Sequence, residues 1–194
     1  MAVAGAAAAL VVRREQTVPP LITGMRFEPS RALGDFNLID QAGRSFGPAN
    51  LRGHWTIMFF GYTNCPAFCP ATLSTLASLE KQLRTQQAAA LPQVDFVSVD
   101  AKRDTPERLA KYVPYFDPSF VGLTAADQPS IEAVAKKFGV AVIITPTPDG
   151  SYTVDHSAEI FVLDPNGHIA ALLTGPFTVQ ALADDWQRIT APVK

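Results

Sequence analysis

Gly61-Tyr62-Thr63-Asn64-Cys65-Pro66-Ala67-Phe68-Cys69-Pro70 is the stretch that decides how this chain is read. It holds both cysteines of the 194-residue sequence, with three residues between them. Before it, Trp55-Thr56-Ile57-Met58-Phe59-Phe60 reads as a buried strand. After it, Ala71 to Arg84 reads as a helix starting from about Pro70, with Leu73, Leu76, Leu79 and Leu83 along one face. The sulfurs therefore stand where a strand ends and a helix begins, beside unpaired backbone N–H groups and a partial positive charge. Both influences lower a thiol pKa, and the thiolate is the nucleophile and the metal ligand. Pro66 and Pro70 restrict the backbone of the loop. Bridging cysteines this close stabilises a fold little, so the pair reads as redox-active or metal-binding rather than structural. In an oxidising compartment it needs a thiol reductant to stay reduced.

Working outward, the length suits one domain with a full core and some tail. With 47% apolar and 18% charged residues, the chain is globular rather than disordered. A net charge of −2, with no basic stripe interleaved with aromatics, argues against nucleic acid as the main partner. Residues 1–12 carry no charge and end sharply at Arg13 and Arg14. As a helix they would be roughly 18 Å long, too short for a bilayer core of about 30 Å. We read them as part of a membrane anchor or an export segment, against the alternative of an alanine-rich tail. Glu15 to Ser30, with Pro19, Pro20 and Pro29, reads as a linker, which places the domain at residues 31–194.

Within that domain Asp35 to Asp40 and Ser45-Phe46 read as a β-hairpin, and Val94 to Asp100 as a core strand. Thr105-Pro106 starts a helix ending near Pro114, and Val121 to Thr124 is a short strand. Ser130 to Phe138 is a helix stopped by Gly139, and Val140 to Thr145 is β-branched and followed by a proline-rich loop. Ile160 to Leu163 and His168 to Leu173 form a second hairpin, and Thr178 to Ile189 a closing helix. This order describes a three-layer α/β domain. A strand, a cysteine loop, a helix and a second strand open the thioredoxin-like architecture, with a central mixed sheet and an N-terminal β-hairpin.

The chemistry of the loop leaves two classes open. Thiol–disulfide oxidoreductases usually have two residues between their cysteines; three widen the loop enough for an ion while still allowing a disulfide. Two thiolates and an imidazole suit copper, or zinc with a fourth ligand. With no obvious fourth ligand, copper is favoured. His156 is the candidate imidazole, since the loop before the strand Ile160 to Leu163 faces the cysteine loop in a thioredoxin-like fold. His54 and His168 lack such a setting and read as ordinary histidines. Asp155 is a candidate to orient the His156 ring. Asp100, in Asp100-Ala101-Lys102-Arg103-Asp104-Thr105-Pro106, lies where a strand ends and sites gather, although capping and ion pairing explain most of that stretch. A peroxidase of the peroxiredoxin type ranks last, because no Thr-x-x-Cys pattern is present.

Taken together these residues resemble the Sco/SenC family, the copper chaperones of cytochrome c oxidase assembly. The resemblance runs from about Leu33 to the C-terminus. It rests on Phe59 to Pro66 with Cys69-Pro70, on Val97 to Asp100 with Arg103 to Pro106, on Tyr115 to Pro118, on Val154 to Ser157, and on Asp164-Pro165 with Gly167. It implies one copper ion, Cu(I) or Cu(II), held by Cys65, Cys69 and His156. It implies delivery to the binuclear copper centre of cytochrome c oxidase subunit II, with an upstream copper donor, and a possible reductase role on that subunit's cysteines, for which Cys65 and Cys69 would be the redox-active pair. It also implies a membrane-anchored domain in the bacterial periplasm or the mitochondrial intermembrane space. Two features depart from the family pattern. Ala67 stands where the family usually has Asp, and the apolar run is short for the family's anchor.

Overall fold

The computed structural model describes residues 19–191. The apolar run at 1–12 lies outside them, and among the described residues no helix is long and apolar enough to cross a membrane. The elements are β1 (Gly24–Arg31), β2 (Leu38–Asp40), β3 (Ser45–Phe46), β4 (Trp55–Gly61), α1 (Phe68–Thr85), β5 (Pro92–Ser98), α2 (Pro106–Tyr112), β6 (Val121–Thr124), α3 (Gln128–Phe138), β7 (Val142–Pro146), β8 (Tyr152–His156), β9 (Ile160–Leu163), β10 (Ile169–Leu173) and α4 (Val179–Thr190). Short 3₁₀ turns at Pro48–Leu51 and Val113–Tyr115 complete them.

Eight strands form one sheet in the order β1-β10-β9-β4-β5-β6-β2-β3. β4, β5 and β6 run parallel and the remaining neighbours antiparallel, so the sheet is mixed. β4 lies near its centre, and its period-2 alternation supplies both faces of the core. Ile57 and Phe59 pack with Leu73, Leu76, Leu79 and Leu83 of α1, Leu109 of α2 and Trp186 of α4. Met58 and Phe60 pack with Ile131, Val134 and Phe138 of α3, and with Val154 of β8. These are the three expected layers, and the four leucines of α1 form its buried face.

The helix boundaries follow capping chemistry. Thr105, Asp127 and Thr178 each accept a backbone N–H in the first turn of α2, α3 and α4. α3 ends at Gly139, whose φ of 84° is left-handed and open to glycine.

Three elements differ from the sequence reading. The stretch read as linker to Ser30 supplies β1, which pairs with β10, so the folded unit begins before residue 31. Its pattern is weak because it is a half-exposed edge strand with an irregular register and an internal proline, which an edge tolerates. Asp185 of α4 ties down its approach, accepting the Ile22 and Thr23 N–H groups at 2.7 and 2.8 Å. The first hairpin contracts to three and two residues, β2 and β3, and sits on the far edge beside β6. The β-branched stretch to Thr145 forms β7, and the segment read as loop after it supplies β8, the two pairing as a hairpin that is a sheet of its own.

Among the described residues, Thr56, Asp95 and Thr124 of the sheet have buried side-chain oxygens without a partner, and Asp95 is the one that can ionise. Asp95 of β5 stands between Met58 and Val121 with both carboxyl oxygens buried and unbonded among the described residues. Burial pushes its pKa up to about 8.

Candidate metal centre

β4 ends at Gly61, and the chain turns once before α1, with the Cys65 N–H donating to the Tyr62 carbonyl at 3.2 Å. Helix α1 starts at Phe68, three residues earlier than Ala71, so Cys69 lies inside its first turn. Ala67 occupies the N-cap position and offers no side-chain acceptor. Cys65 Sγ takes that role, accepting the Cys69 N–H at 3.3 Å. The sulfur thus satisfies one of the orphan donors that an aspartate at position 67 would compete for.

The two thiols are free and differ in setting: Cys65 is half-buried and Cys69 fully buried. Gly61 is required beside them, because a Cβ there would stand 2.9 Å from Cys69 Sγ and 2.7 Å from Phe96 Cε2. The expectation that the helix start lowers both thiol pKa values fails for Cys69. Burial pushes its thiol well above the ordinary range, outweighing the donors around it. A metal ion that binds there must therefore displace a proton.

The structure brings His156 to the buried sulfur, with Nε2 3.9 Å from Cys69 Sγ. His156 is the last residue of β8 rather than part of a loop. Its Nδ1 lies 2.7 Å from the Ser157 carbonyl, an acceptor only, so Nδ1 carries the proton in the neutral ring. Nε2 is left with a free lone pair facing the sulfur. Tyr62 holds the ring from the side, edge to face at 5.9 Å. The role expected of Asp155 belongs to the Ser157 carbonyl, because neighbouring residues of a strand point to opposite faces and Asp155 is exposed. Among the described residues no three His, Cys, Asp or Glu side chains stand close enough together to hold a metal ion as they are placed, Cys65, Cys69 and His156 included. His54 and His168 lie at the other end of β4, where the Gly53 N–H meets the Pro165 carbonyl.

Asp100 does connect to the imidazole, though through the backbone of β8. Its fully buried carboxylate is paired with Arg103 and accepts the Tyr152 hydroxyl at 2.7 Å. Arg103 lies 3.9 Å above the Tyr152 ring and donates to the Tyr152 carbonyl at 3.3 Å. Burial and its bond to the Asp100 carboxylate push the pKa of the Tyr152 hydroxyl up to about 12, so it keeps the proton it shares. The latch fixes the first residue of the strand whose last residue is His156.

Asp104 is the site residue the sequence reading passed over. Fully buried, it accepts the Thr63 N–H at 2.8 Å, the Thr63 hydroxyl at 2.5 Å and the Ser98 hydroxyl at 2.6 Å. Arg108 adds a bond to Thr63 Oγ1 at 2.5 Å. This staples the cysteine loop to β5 and α2. In sequence it stood out only as part of the Arg103 to Pro106 stretch, an acid directly before the Thr105-Pro106 helix start, with no role assigned to it.

A sequence model described as SCO1/SenC matches residues 25–191. A SCO2-like protein of Rickettsia prowazekii is 38% identical over 136 residues, 69% of this chain and 65% of that protein. The chain thus spans just under two thirds of that relative. A protein of Stutzerimonas stutzeri, named a putative copper-binding protein, is 32% identical over 152 residues, 78% of this chain and 74% of that one. Among solved structures, Arabidopsis thaliana ScoI with copper bound superposes with a TM-score of 0.75 at 32% identity, covering 80% of this chain and 96% of that one. Sequence, fold and the thiol–imidazole arrangement agree: this chain belongs to the SCO1/SenC family.

Proposed function

We propose that this chain binds one copper ion through Cys65, Cys69 and His156 and serves in cytochrome c oxidase assembly, passing the ion to the binuclear copper centre of subunit II. The observation that carries the reading is the imidazole Nε2 lone pair, 3.9 Å from a buried thiol whose partner cysteine is half-exposed. Two sulfurs and one neutral imidazole form a soft donor set that suits copper. Membership of the family, and a copper-bound relative with the same fold, support it. The half-exposed Cys65 offers a route for exchange with a donor or an acceptor protein, as delivery requires. Residues 1–12, read as part of an anchor or export segment, fit a membrane-tethered domain, and the family resemblance supports the periplasm or the intermembrane space.

A second reading, reduction of disulfides on subunit II, is favoured by one feature. Both thiols are free, and Cys65 Sγ reaches the N–H of its partner, so the pair can close to a disulfide after giving up two electrons. Anaerobic absorption titration of the reduced protein with Cu(II) separates the two. Copper binding gives a one-to-one thiolate charge-transfer band, lost in Cys65→Ala and lost or displaced in His156→Ala. Rapid oxidation to the disulfide without a stable band, and no tight Cu(I) binding by competition, would contradict the copper reading and leave the reductase.

A further inference from the structure

The chain enters its fold at the metal end. Gly24, the first residue of β1, pairs with Leu173 of β10; Leu173 pairs with Ile160 of β9, and Ile160 with Phe59 of β4, which leads into the cysteine loop. The start of β1 and the cysteines therefore share one end of the sheet. They are three strands apart, or about 14 Å at the usual strand spacing.

That entry carries apolar side chains that the fold leaves uncovered. Among the described residues the exposed large hydrophobic side chains are Ile22, Met25, Phe68, Tyr115 and Ile143. Ile22 is 53% and Met25 55% exposed, and both stand at the entry. Beside them opens a groove between the start of β1, the end of β10 and the N-terminal turn of α4, with Leu172, Pro176 and Ala181 in its walls. None of the residues lining it is charged, so covering it strips no ion of its water. The apolar surface continues toward the sulfurs, because Phe177, next to Pro176, packs at 6.5 Å from Phe68 at the start of α1.

The chain that leads to this face argues for what covers it. Residues 1–12 are apolar, and only the nine residues Arg13 to Leu21 separate them from Ile22. Nine residues reach at most about 32 Å. Once residues 1–12 are held in a bilayer, the groove therefore stays close to the lipid surface. Such a tether makes docking an intramolecular step at high effective concentration, so a contact too weak to recruit a free protein suffices.

We propose that the face formed by Ile22, Met25 and the adjoining groove rests on the lipid surface, turning the cysteine end of the sheet toward the membrane. This rests on the tether proposed above and adds to it the orientation of the domain. The metal centre then stands close to the bilayer, and the ion is exchanged with a partner whose own site lies near the lipid surface.

The test is fluorescence quenching by vesicles of brominated phosphatidylcholine, whose bromines sit among the acyl chains. Full-length Met25→Trp is compared with Tyr115→Trp, whose probe sits at an 84% exposed position in the turn after α2, and wild type supplies the background of Trp55 and Trp186. The Met25→Trp probe should lose fluorescence and the Tyr115→Trp probe should keep it. Adding Ile22→Asp to Met25→Trp should abolish the quenching while the protein still floats with the vesicles. In wild type, with no substitution, amide exchange at Ile22 to Met25 and at Thr174 and Gly175 should slow when plain phosphatidylcholine vesicles are added. Wild type that floats while the Met25→Trp probe stays unquenched and these amides exchange as before overturns the proposal and leaves the tether standing, whether the face is bare or covered by a second copy. Equal quenching of the two probes, which means no preferred face, overturns it as well. Wild type that does not float overturns the tether, and this proposal with it.

Discussion

Cys69 and the His156 imidazole are brought together by different constructions. Cys65 and Cys69 follow β4, at the centre of the main sheet, and open α1, whose leucine face is fully buried. Their loop is stapled by Asp104 through three hydrogen bonds. His156 ends a two-stranded hairpin that shares no ladder with the main sheet. Much of that hairpin is exposed, including Ile143 at 59%. It is held by Val154 in the core, by Val142, Ile144 and Tyr152 packed against that core, and by the Tyr152–Asp100–Arg103 latch, while the Ser157–Ala141 bonds close the hairpin's own open end. The difference teaches a division of labour: the thiols belong to the frame, and the imidazole is carried on an arm. An arm outside the main sheet's ladder opens at lower free energy than the frame, so His156 can move away from Cys69 without unfolding the cysteine loop.

The contrast is broken most severely by attacking the frame, where Asp95 is a buried carboxyl without a partner among the described residues. Its pKa is about 8 in the folded state and 3.8 as a free carboxyl. Below the lower value both states are protonated and nothing is lost. Between the two, the unfolded chain sheds a proton the folded chain retains, so stability falls as pH rises. The slope is about 1.4 kcal/mol per pH unit, or about 4 kcal/mol from about pH 5 to about pH 8. Melting curves across that range should show the decline in wild type and a flatter profile in Asp95→Asn; parallel profiles would show that Asp95 is not the cause.

Asp104→Ala attacks the frame at the site. It leaves the Thr63 N–H and hydroxyl and the Ser98 hydroxyl without their acceptor, at a cost of about 3 kcal/mol. Urea unfolding should show that loss together with faster alkylation of Cys65 as its loop loosens. Tyr152→Phe attacks only the arm. Losing the bond to Asp100 costs about 1.5 kcal/mol, or about tenfold in copper affinity, as competition titration would read. The closure of the Cys65–Cys69 disulfide should be unaffected, whereas an equal effect on both would mean that arm and frame are one unit.

Much of this was legible from the chain. The alternation of Trp55 to Phe60 and the leucine spacing of α1 are strong periodic signals, and the caps Thr105 and Thr178 act locally. The cysteines and His156 were readable because their residue types and the fold's topology constrain one another. The parts that escaped depend on long-range or weak signals. β1 is an edge strand containing Pro29, and β8 finds its one strand partner among the described residues in β7. Asp104 serves Thr63, 41 positions away, and Tyr152 serves Asp100, 52 positions away, distances at which local pattern carries no information. The pKa of Cys69 was misjudged because helix-end effects are local whereas burial is a property of the finished core.

Amide hydrogen exchange, read residue by residue in the reduced protein with and without Cu(I), tests the frame-and-arm account most directly. Without metal, Tyr152 to His156 should exchange much faster than β4 and the first turns of α1. One equivalent of Cu(I) should slow the hairpin, leave β4 nearly unchanged, and fail to slow the hairpin in His156→Ala. A hairpin as protected as β4 before metal is added, or one indifferent to Cu(I), would contradict it.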